Sequence, residues 1–146
     1  MGLMVAIHNV TSAQRLVDFA KLTFGFNIDR LVITKIGGTA AQAGIPDVGR
    51  IAVKLGKSIM VLPDLKDAIE LLSPRKVYLM SPLAEREIDY VDYKDNSLIV
   101  FSGIENGFTK IEQSLGEYVN IKGMKGDPGP IAYAGAVLYC TLALQK

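Results

Sequence analysis

The residues best suited to chemistry lie in two glycine-bearing loops near the end of the chain. The first, SGIENG over residues 102–107, directly follows the apolar run SLIVF and carries one carboxylate, Glu105. The second, KGMKGDPGP over residues 122–130, follows YVNI and contains three glycines and two prolines. Glycines let a ligand approach the backbone closely, and prolines hold a loop rigid. Such loops can bind a flat, uncharged group through backbone donors and acceptors.

Each loop also has a purely structural interpretation. SGIENG can be a tight turn in which Asn106 or Gly107 takes a positive φ and the helix dipole favours Glu105. The second loop can be an ordinary surface loop, although simple turns seldom need so many special residues. The segment that follows it, IAYAGAVLYCTLAL, reads as a helix with almost no polar face. Such a helix must be enclosed on nearly all sides, so the sequence predicts a homodimer formed through this C-terminal helix.

Familiar catalytic motifs are absent from the sequence. There is no G-x-x-x-x-G-K-[ST] loop and no G-x-G-x-x-G after the first strand, and a single His and a single Cys exclude an ordinary zinc site by count. We expect His8 to be a strand-end residue with a satisfied hydrogen bond and Cys140 to be a buried structural thiol. A nuclease-like enzyme needs clustered acidic metal ligands, but Asp89, Asp92 and Asp95 lie in one polar stretch where solvation is the simpler interpretation. No metal site is expected.

The elements that must position the two loops alternate between strands and helices. Six short apolar runs are predicted as strands, over residues 3–7, 30–36, 58–62, 76–80, 97–101 and 118–121. Helical patterns separate them, with start signals at Thr11-Ser12, Thr39 and Asp64 and stop signals at Gly25, Gly56 and Gly116. This alternation predicts an α/β fold with a mostly parallel sheet and helices on both faces. One domain spans residues 1–146.

Composition and charge restrict the partners and the location of the chain. Over 146 residues the net charge is +1, so there is no overall basic field, and any RNA contact must use local clusters. The N-terminal residues lack the pattern of a signal peptide. The apolar run over residues 131–144 is shorter than a bilayer requires. We therefore expect a cytoplasmic protein without membrane contact.

Three segments resemble the SPOUT (SpoU–TrmD) superfamily of RNA methyltransferases, in its SpoU-like branch. Leu98 to Phe108 (LIVFSGIENGF) resembles the strand and G-x-E loop of that family. Residues 119–126 (VNIKGMKG) and 134–139 (AGAVLY) resemble its I-P-M-like turn and alanine-rich helix. The segment from His8 to Gly25 is a looser match to the family's N-x-G-x-x-x-R…F-G motif, through Asn9, Arg15 and Phe24-Gly25.

The resemblance implies an S-adenosylmethionine-dependent methyltransferase that modifies the ribose 2′-O of tRNA or rRNA. It also implies a homodimer and a C-terminal segment threaded into a trefoil (α/β) knot, an exception to the usual rule against knots. Arg15 would activate or position the acceptor hydroxyl, with Asn9 and Glu105 near it. Carried over by position, the S-adenosylmethionine site would consist of Met80, Ser81, Phe101, Ser102, Gly103, Ile104, Ile121, Gly123, Met124, Gly126, Ile131, Ala132 and Ala134.

Departures from the family pattern fall mainly on the acceptor side. DPGPI, residues 127–131, stands where the family has S-L-N-V-S, the G-x-E loop is one residue shorter, and Arg15 is farther from Phe24-Gly25 than in the typical motif. An alternative is therefore a non-catalytic knot protein that binds the cofactor or RNA without methyl transfer. RNA would be held across the dimer or with an accessory RNA-binding partner, and the candidate contacts are Lys21, Lys35, Arg50, Lys54 and Lys57.

Overall fold

A single parallel sheet forms the centre of the computed structural model, which describes residues 3–92, 96–105 and 107–144. The strands are β1 (Leu3–Val10), β2 (Arg30–Ile36), β3 (Ser58–Leu62), β4 (Lys76–Met80), β5 (Glu87–Ile88), β6 (Ser97–Ser102) and β7 (Glu117–Ile121). All pairings among these residues are parallel, and the strand order is β3-β2-β1-β6-β4-β7-β5. The two-residue strand β5 lies in a polar stretch whose partial periodicity left a short helix or strand open, and it pairs with β7 at the edge of the sheet.

The first and third helices begin at short polar side chains, as expected. Ser12 caps the first helix by accepting from the Arg15 amide, and Asp64 begins the third with a capping box. Thr39 was wrongly predicted as a cap, because its hydroxyl donates to the Thr11 carbonyl at 3.1 Å instead. The described residues contain α1 (Ala13–Gly25), α2 (Ile45–Leu55), α3 (Leu65–Leu72), α4 (Lys110–Gln113), α5 (Pro130–Tyr139) and two π-helical segments, Ala40–Gly44 and Cys140–Leu144.

Helix α4 is shorter than the helix that the spacing of Phe108, Ile111 and Leu115 before Gly116 predicts. A capping box between Thr109 and Glu112 starts it, and it ends after Gln113. Gly116 then lies so close to the Val77 carbonyl that an added Cβ would be 2.6 Å from that oxygen, so the chain has already turned toward β7. None of the helices in the described ranges is long and apolar enough to cross a membrane.

Both faces of the sheet are buried, because side chains alternate along each strand. Helices α1, α2 and α5 cover one face, where Ile7, Ile99 and Phe101 contact residues such as Phe19 and Val137. Helix α3 and Phe108 cover the other face, which is formed by Met4, Ala6, Val32, Leu79, Leu98 and Val100. The predicted α/β architecture with helices on both faces is confirmed.

The strand order reverses beside β6. From β1 the chain proceeds outward to β2 and β3, and it later inserts β6 between β1 and β4. The register pairs Phe101 with both Ile7 and Met80, so the carboxyl ends of these three strands meet at one edge. A crevice at such a reversal is where open α/β sheets bind ligands. The SGIENG loop leaves β6 at this point.

Candidate functional site

The loop after β6 is packed directly on the end of β1. The Gly103 amide donates to the His8 carbonyl at 2.7 Å. A Cβ on Gly103 would lie 2.7 Å from the Asn9 carbonyl oxygen and 2.9 Å from the Val10 Cα. Any larger side chain would force the two segments apart, so this position requires glycine. Arg15 Nη1 donates to the Gly103 carbonyl at 3.0 Å, and the fold thereby brings Asn9, Arg15 and Gly103 together.

Arg15 lies in the first turn of α1, where it is partly exposed. Asn9, at the end of β1, takes a left-handed conformation with φ 67°, which redirects the chain toward α1. A guanidinium carries five N–H donors in a planar fork, so the bond to Gly103 leaves donors that can reach a ligand. This corner of the sheet therefore presents a fixed cation whose orientation depends on the β6 loop.

A small pocket lies next to this corner, at the carboxyl ends of β4 and β6. Its volume is about 20 Å³, roughly enough for one water molecule. The described residues that line it include two carboxylates and no lysine or arginine. The lining consists of Met80, Ser81, Pro82, Phe101, Ser102, Ile104, Glu105, Gly107, Asp127, Pro130 and Tyr133.

The pocket contains some of the predicted site residues. Glu105, predicted near the acceptor, is part of the lining, as are the predicted cofactor residues Met80, Ser81, Phe101, Ser102 and Ile104. Gly103 faces β1 instead. Ile121 and Ala134 are buried in the core, and Met124 and Ile131 pack partly buried against it. The remaining predicted residues, Gly123, Gly126 and Ala132, are exposed.

Hydrogen bonds within the loops fix the upper wall of the pocket. The Ser102 hydroxyl donates to the Ile104 carbonyl at 2.9 Å and accepts from the Ile104 amide at 3.2 Å, which curls the chain after β6. Ser81 accepts from the Leu83 amide at 3.1 Å. Gly107 has the predicted positive φ, 76°, and its alternative Asn106 lies outside the described residues.

Two buried polar residues beside the pocket form a hydrogen-bonded pair that was not predicted from the sequence. The Tyr133 hydroxyl donates to Asn120 Oδ1 at 2.8 Å and accepts from the Ile121 amide at 3.3 Å. Asn120 Nδ2 donates to the Met124 carbonyl at 2.8 Å. Burial raises the pKa of Tyr133 well above its usual range, despite the hydrogen bond from Ile121. The signal was an asparagine within the apolar run YVNI, which predicts a buried polar partner.

His8 forms a separate polar cluster on the α3 side of the sheet. Its Nδ1 lies 2.7 Å from Thr34 Oγ1 and its Nε2 lies 2.7 Å from Glu112 Oε2. Burial favours the neutral form of Glu112, but hydrogen bonds from the Thr109 amide and His8, with nearby positive charge, lower the pKa of Glu112 overall. Both ring nitrogens of His8 are engaged, so the prediction of a satisfied strand-end histidine is confirmed.

The described parts of the chain contain no cluster of potential metal ligands. There, no three His, Cys, Asp or Glu residues are grouped so that they could hold a metal ion. Asp89 forms an ion pair with Lys122, and Asp92 forms one with Arg75. Asp95, the third residue of the predicted polar stretch, lies outside the described residues.

A groove between α1 and α2 collects basic side chains on the face that also carries α5. Lys21, Arg50 and Lys54 line it over a floor that includes Ile51. Asp47 is the acidic residue of its lining, and Arg50 forms an ion pair with it. These are three of the five predicted RNA contacts. Of the other two, Lys57 forms an ion pair with Asp29 outside this groove.

The fold is that of the SpoU class of methyltransferases. The SpoU methyltransferase AviRb from Streptomyces viridochromogenes, solved in complex with the cofactor AdoMet, matches with a TM-score of 0.76 and 10% identity over 97% of this chain. This chain spans only 57% of the length of that one. A structure described for 2-OH methylation on tRNA matches with a TM-score of 0.70 and 14% identity, over 94% of this chain and 91% of that one.

The chain belongs to the DUF2122 family, whose model is described as RecB-family nuclease and matches residues 38–140. A relative from Aeropyrum pernix is 44% identical over 140 residues, covering 93% of this chain and 90% of the relative. One from Methanocaldococcus jannaschii is 38% identical over 121 residues, or 80% and 83% of the two chains. Both names assign those proteins provisionally to the type II restriction enzymes. The SPOUT resemblance is thus confirmed for the fold, whereas the sequence family carries the name of a nuclease.

Proposed function

We propose that this chain is a cytoplasmic, S-adenosylmethionine-dependent RNA methyltransferase acting on the ribose 2′-O of tRNA or rRNA. The observation that carries the proposal is the position of Arg15. Its guanidinium is fixed to the Gly103 carbonyl at 3.0 Å, on the loop that also forms one wall of the pocket at the ends of β4 and β6. This arrangement supports the proposal, because open α/β sheets bind ligands in the crevice at such a reversal of strand order.

The chemistry of the pocket fits a methyl donor of this kind. Met80, Phe101, Ile104 and Tyr133 offer apolar surface for a flat base, and adjoining loops offer backbone donors and acceptors. The carboxylates of Glu105 and Asp127 favour a ligand with positive charge. Because the volume is about 20 Å³, the loops over residues 102–107 and 122–130 must separate before a nucleoside can enter.

When bound, S-adenosylmethionine supplies an electrophilic methyl group on a sulfonium sulfur. The chain itself contributes alignment and charge stabilisation. A guanidinium is effectively always protonated, so Arg15 cannot act as the base. It donates hydrogen bonds to the acceptor oxygen or to a neighbouring phosphate and stabilises the charge that develops as the ribose hydroxyl loses its proton. Glu105, exposed at the pocket rim, is the carboxylate that we assign to accept that proton.

We further propose that the C-terminal segment forms a knot. Strand β5 pairs on the outer side of β7, so the connection from β4 toward β6 passes outside β7. After β7 the chain returns across β4 to α5, which contacts α1 and β6. Strand β7 therefore runs inside the earlier connection from β4 toward β6, and the chain after β7 continues into the core as α5. A knotted chain requires this arrangement.

A homodimer through α5 is part of the same proposal. Tyr133, Ala134, Val137 and Leu138 face the core, but the rest of this apolar helix is not fully covered within one chain. Tyr139 is 55% exposed. A second subunit on this face would remove the exposed apolar surface from water. Light scattering on the purified chain measures the expected dimer mass directly.

The groove between α1 and α2 is the proposed RNA contact. With a net charge of only +1 over the whole chain, Lys21, Arg50 and Lys54 form a local positive field on an otherwise balanced molecule. Reversing Lys21 and Lys54 to glutamate is expected to weaken RNA binding and to flatten its salt dependence, by about 0.7 in the log–log slope per lost phosphate contact. Reversing Lys66 and Lys110, on α3 and α4, is the matched control.

Two alternatives are supported by specific observations. DPGPI replaces the polar acceptor-side residues of the SpoU pattern, which favours a protein that binds the donor or RNA without transfer. The family description and the names of the two relatives favour nucleic-acid cleavage. Of the three functions, only the proposed one transfers a methyl group, and only the nuclease alternative cleaves nucleic acid.

Three measurements separate these functions. Calorimetry with S-adenosylmethionine is expected to show binding, and no heat at millimolar donor would refute the pocket. Labelled donor is then incubated with bulk tRNA or rRNA, and transfer is expected to disappear in Arg15→Ala but not in Arg30→Ala, a control at the amino end of β2. A parallel incubation of duplex DNA with Mg²⁺ tests cleavage. Cleavage without any methyl transfer would favour the nuclease alternative.

A further inference from the structure

Three consecutive hydrogen bonds connect α5, the end of β7 and the loop between them. The Tyr133 hydroxyl both donates to Asn120 Oδ1 and accepts from the Ile121 amide, at 2.8 and 3.3 Å. Asn120 forms the third bond, because its Nδ2 donates to the Met124 carbonyl at 2.8 Å. Tyr133 and Asn120 are each only 3% exposed. Water therefore cannot readily replace any of these bonds, and loss of one leaves a buried group unsatisfied.

Each group in this series of hydrogen bonds has the donor or acceptor that its partner requires. The amide side chain of Asn120 accepts through its oxygen and donates through its nitrogen. An ionised carboxylate can only accept, and a hydroxyl has a single oxygen for both roles. A phenol reaches from α5 to β7 and offers one donor and one acceptor. Because burial raises its pKa, the hydroxyl of Tyr133 stays protonated and remains a donor far into the alkaline range.

The same tyrosine forms part of the pocket. Its ring lines the cavity and meets the Phe101 ring edge-on, with centroids 6.4 Å apart, and Phe101 in turn meets Phe19 at 5.6 Å. The loop that its hydroxyl holds also carries Asp127, another lining residue. The turn from this loop into α5 requires glycine at residue 129, because Gly129 has a positive φ of 96°. Its amide donates to Asp127 Oδ1 at 2.9 Å. Tyr133 thus lines the pocket and, through its hydroxyl, holds the loop that carries another lining residue.

We propose that the Tyr133 hydroxyl is a positioning group for the methyl-donor pocket, an inference that rests on the proposed function. Through Asn120 and the Ile121 amide it holds the loop of residues 121–129 in the shape that the donor binds. A loop with several glycines and no such attachment would sample many conformations, and the fraction competent to bind would fall. The hydroxyl therefore acts on donor affinity through the loop and not by contact with the reacting atoms.

The test compares Tyr133→Phe with Tyr90→Phe, a control that removes the same hydroxyl from an exposed residue outside α5. Calorimetry with S-adenosylmethionine is run well below the unfolding temperature of every variant, after circular dichroism has shown that each is folded. Tyr133→Phe is expected to raise the Kd about tenfold, the effect of one or two lost buried hydrogen bonds. Asn120→Ala, which breaks the connection at its next member, is expected to act in the same direction.

A second readout does not depend on the donor. Amide hydrogen exchange of Ile121 is expected to be at least about tenfold faster in Tyr133→Phe, whereas Val100 in the middle of β6 exchanges as before. A wild-type Kd in Tyr133→Phe would overturn the inference, whatever happens to the exchange rate. Unchanged Ile121 exchange would also overturn it, since the loop would then be held without the hydroxyl. If the unaltered chain fails to bind the donor, the proposed function itself is refuted, and the exchange rates still show whether the loop attachment exists.

Discussion

Replacing Gly103 with alanine should damage both stability and the site, because the β6 loop touches the β1 backbone there. The new methyl group would lie 2.7 Å from the Asn9 carbonyl oxygen, 2.7 Å from the Val10 Cβ and 2.9 Å from the Val10 Cα. None of these atoms is the flexible end of a side chain, so the loop must move. Overpacking of this kind costs about 1–3 kcal/mol, and stretching the bonds to the His8 carbonyl and from Arg15 adds about 1 kcal/mol.

The expected loss in the free energy of unfolding is therefore about 2–4 kcal/mol. At about 3 °C per kcal/mol for a domain of this size, the unfolding temperature falls by about 6–12 °C. Urea and thermal unfolding followed by circular dichroism measure both quantities. Gly126→Ala is the matched control, because its Cβ would meet nothing within 4 Å, and its stability is expected to stay within about 1 kcal/mol of the unaltered chain.

A second glycine separates the steric effect from the effect on the site. A Cβ on Gly116 would lie 2.6 Å from the Val77 carbonyl oxygen and 2.8 Å from its Cγ1, but at the amino end of β7, across the sheet from the pocket. Gly116→Ala is expected to lose similar stability and to retain methyl transfer at temperatures where it is folded. Gly103→Ala should lose transfer under the same conditions, because Arg15 moves with the loop. Equal transfer by both variants would refute the link between Gly103 and Arg15, and an unchanged unfolding temperature would refute the packing argument.

Two further predictions concern carboxylates. Asp127→Asn keeps an acceptor for the Gly129 amide but removes a charge from the pocket. The preference for the sulfonium donor over its uncharged-sulfur product should fall about fivefold, the equivalent of about 1 kcal/mol for charges near 4 Å in water. Calorimetry gives the Kd of each ligand, and an unchanged ratio of the two Kd values would contradict the prediction. The pKa of Glu112 is lowered in the folded chain, so its contribution is fully present above its ordinary value of 4.5 and is lost as the pH falls through the lower, folded value. Urea unfolding should therefore show a steeper loss of stability on acidification in the unaltered chain than in Glu112→Gln, and parallel pH profiles would rule this out.

Local sequence signals were sufficient for most of the elements. The bounds of β2, β3 and β4 follow directly from short apolar runs, and α2 ends where Gly56 takes a left-handed φ of 70°. These features depend on residues within one or two turns of each other, so propensity and capping determine them. Thr39 failed as a predicted cap because a tertiary partner, the Thr11 carbonyl, attracted its hydroxyl.

The parts that could not be predicted depend on distant pairings. His8 meets Glu112 across 104 positions of sequence, and Arg15 meets Gly103 across 88. No local pattern encodes which strand is inserted between which neighbours, and the insertion of β6 beside β1 is what creates both contacts. In the sequence, Tyr133 is one residue of an apolar helix, and its ring is buried accordingly. The partners of its hydroxyl, Asn120 and the Ile121 amide, lie at the end of β7 and follow only from the packing of α5 against that strand.

The DPGPI segment, residues 127–131, bears on both the donor side and the acceptor side of the proposed site. In the SpoU pattern, that stretch supplies polar side chains, whereas here Asp127 accepts from the Gly129 amide, Gly129 turns at φ 96° and Pro130 begins α5. The segment forms a backbone turn with one carboxylate at the pocket, so under the proposed function it shapes the donor side and offers little to an acceptor. The same proposal then assigns the acceptor chemistry to Arg15 and Glu105, on the elements around Gly103. Restoring serine and asparagine at residues 127 and 129 should consequently leave transfer unimproved, because Asn at 129 would strain the turn and neither residue replaces the guanidinium. A gain in transfer from that double substitution would show that the acceptor side still depends on this segment.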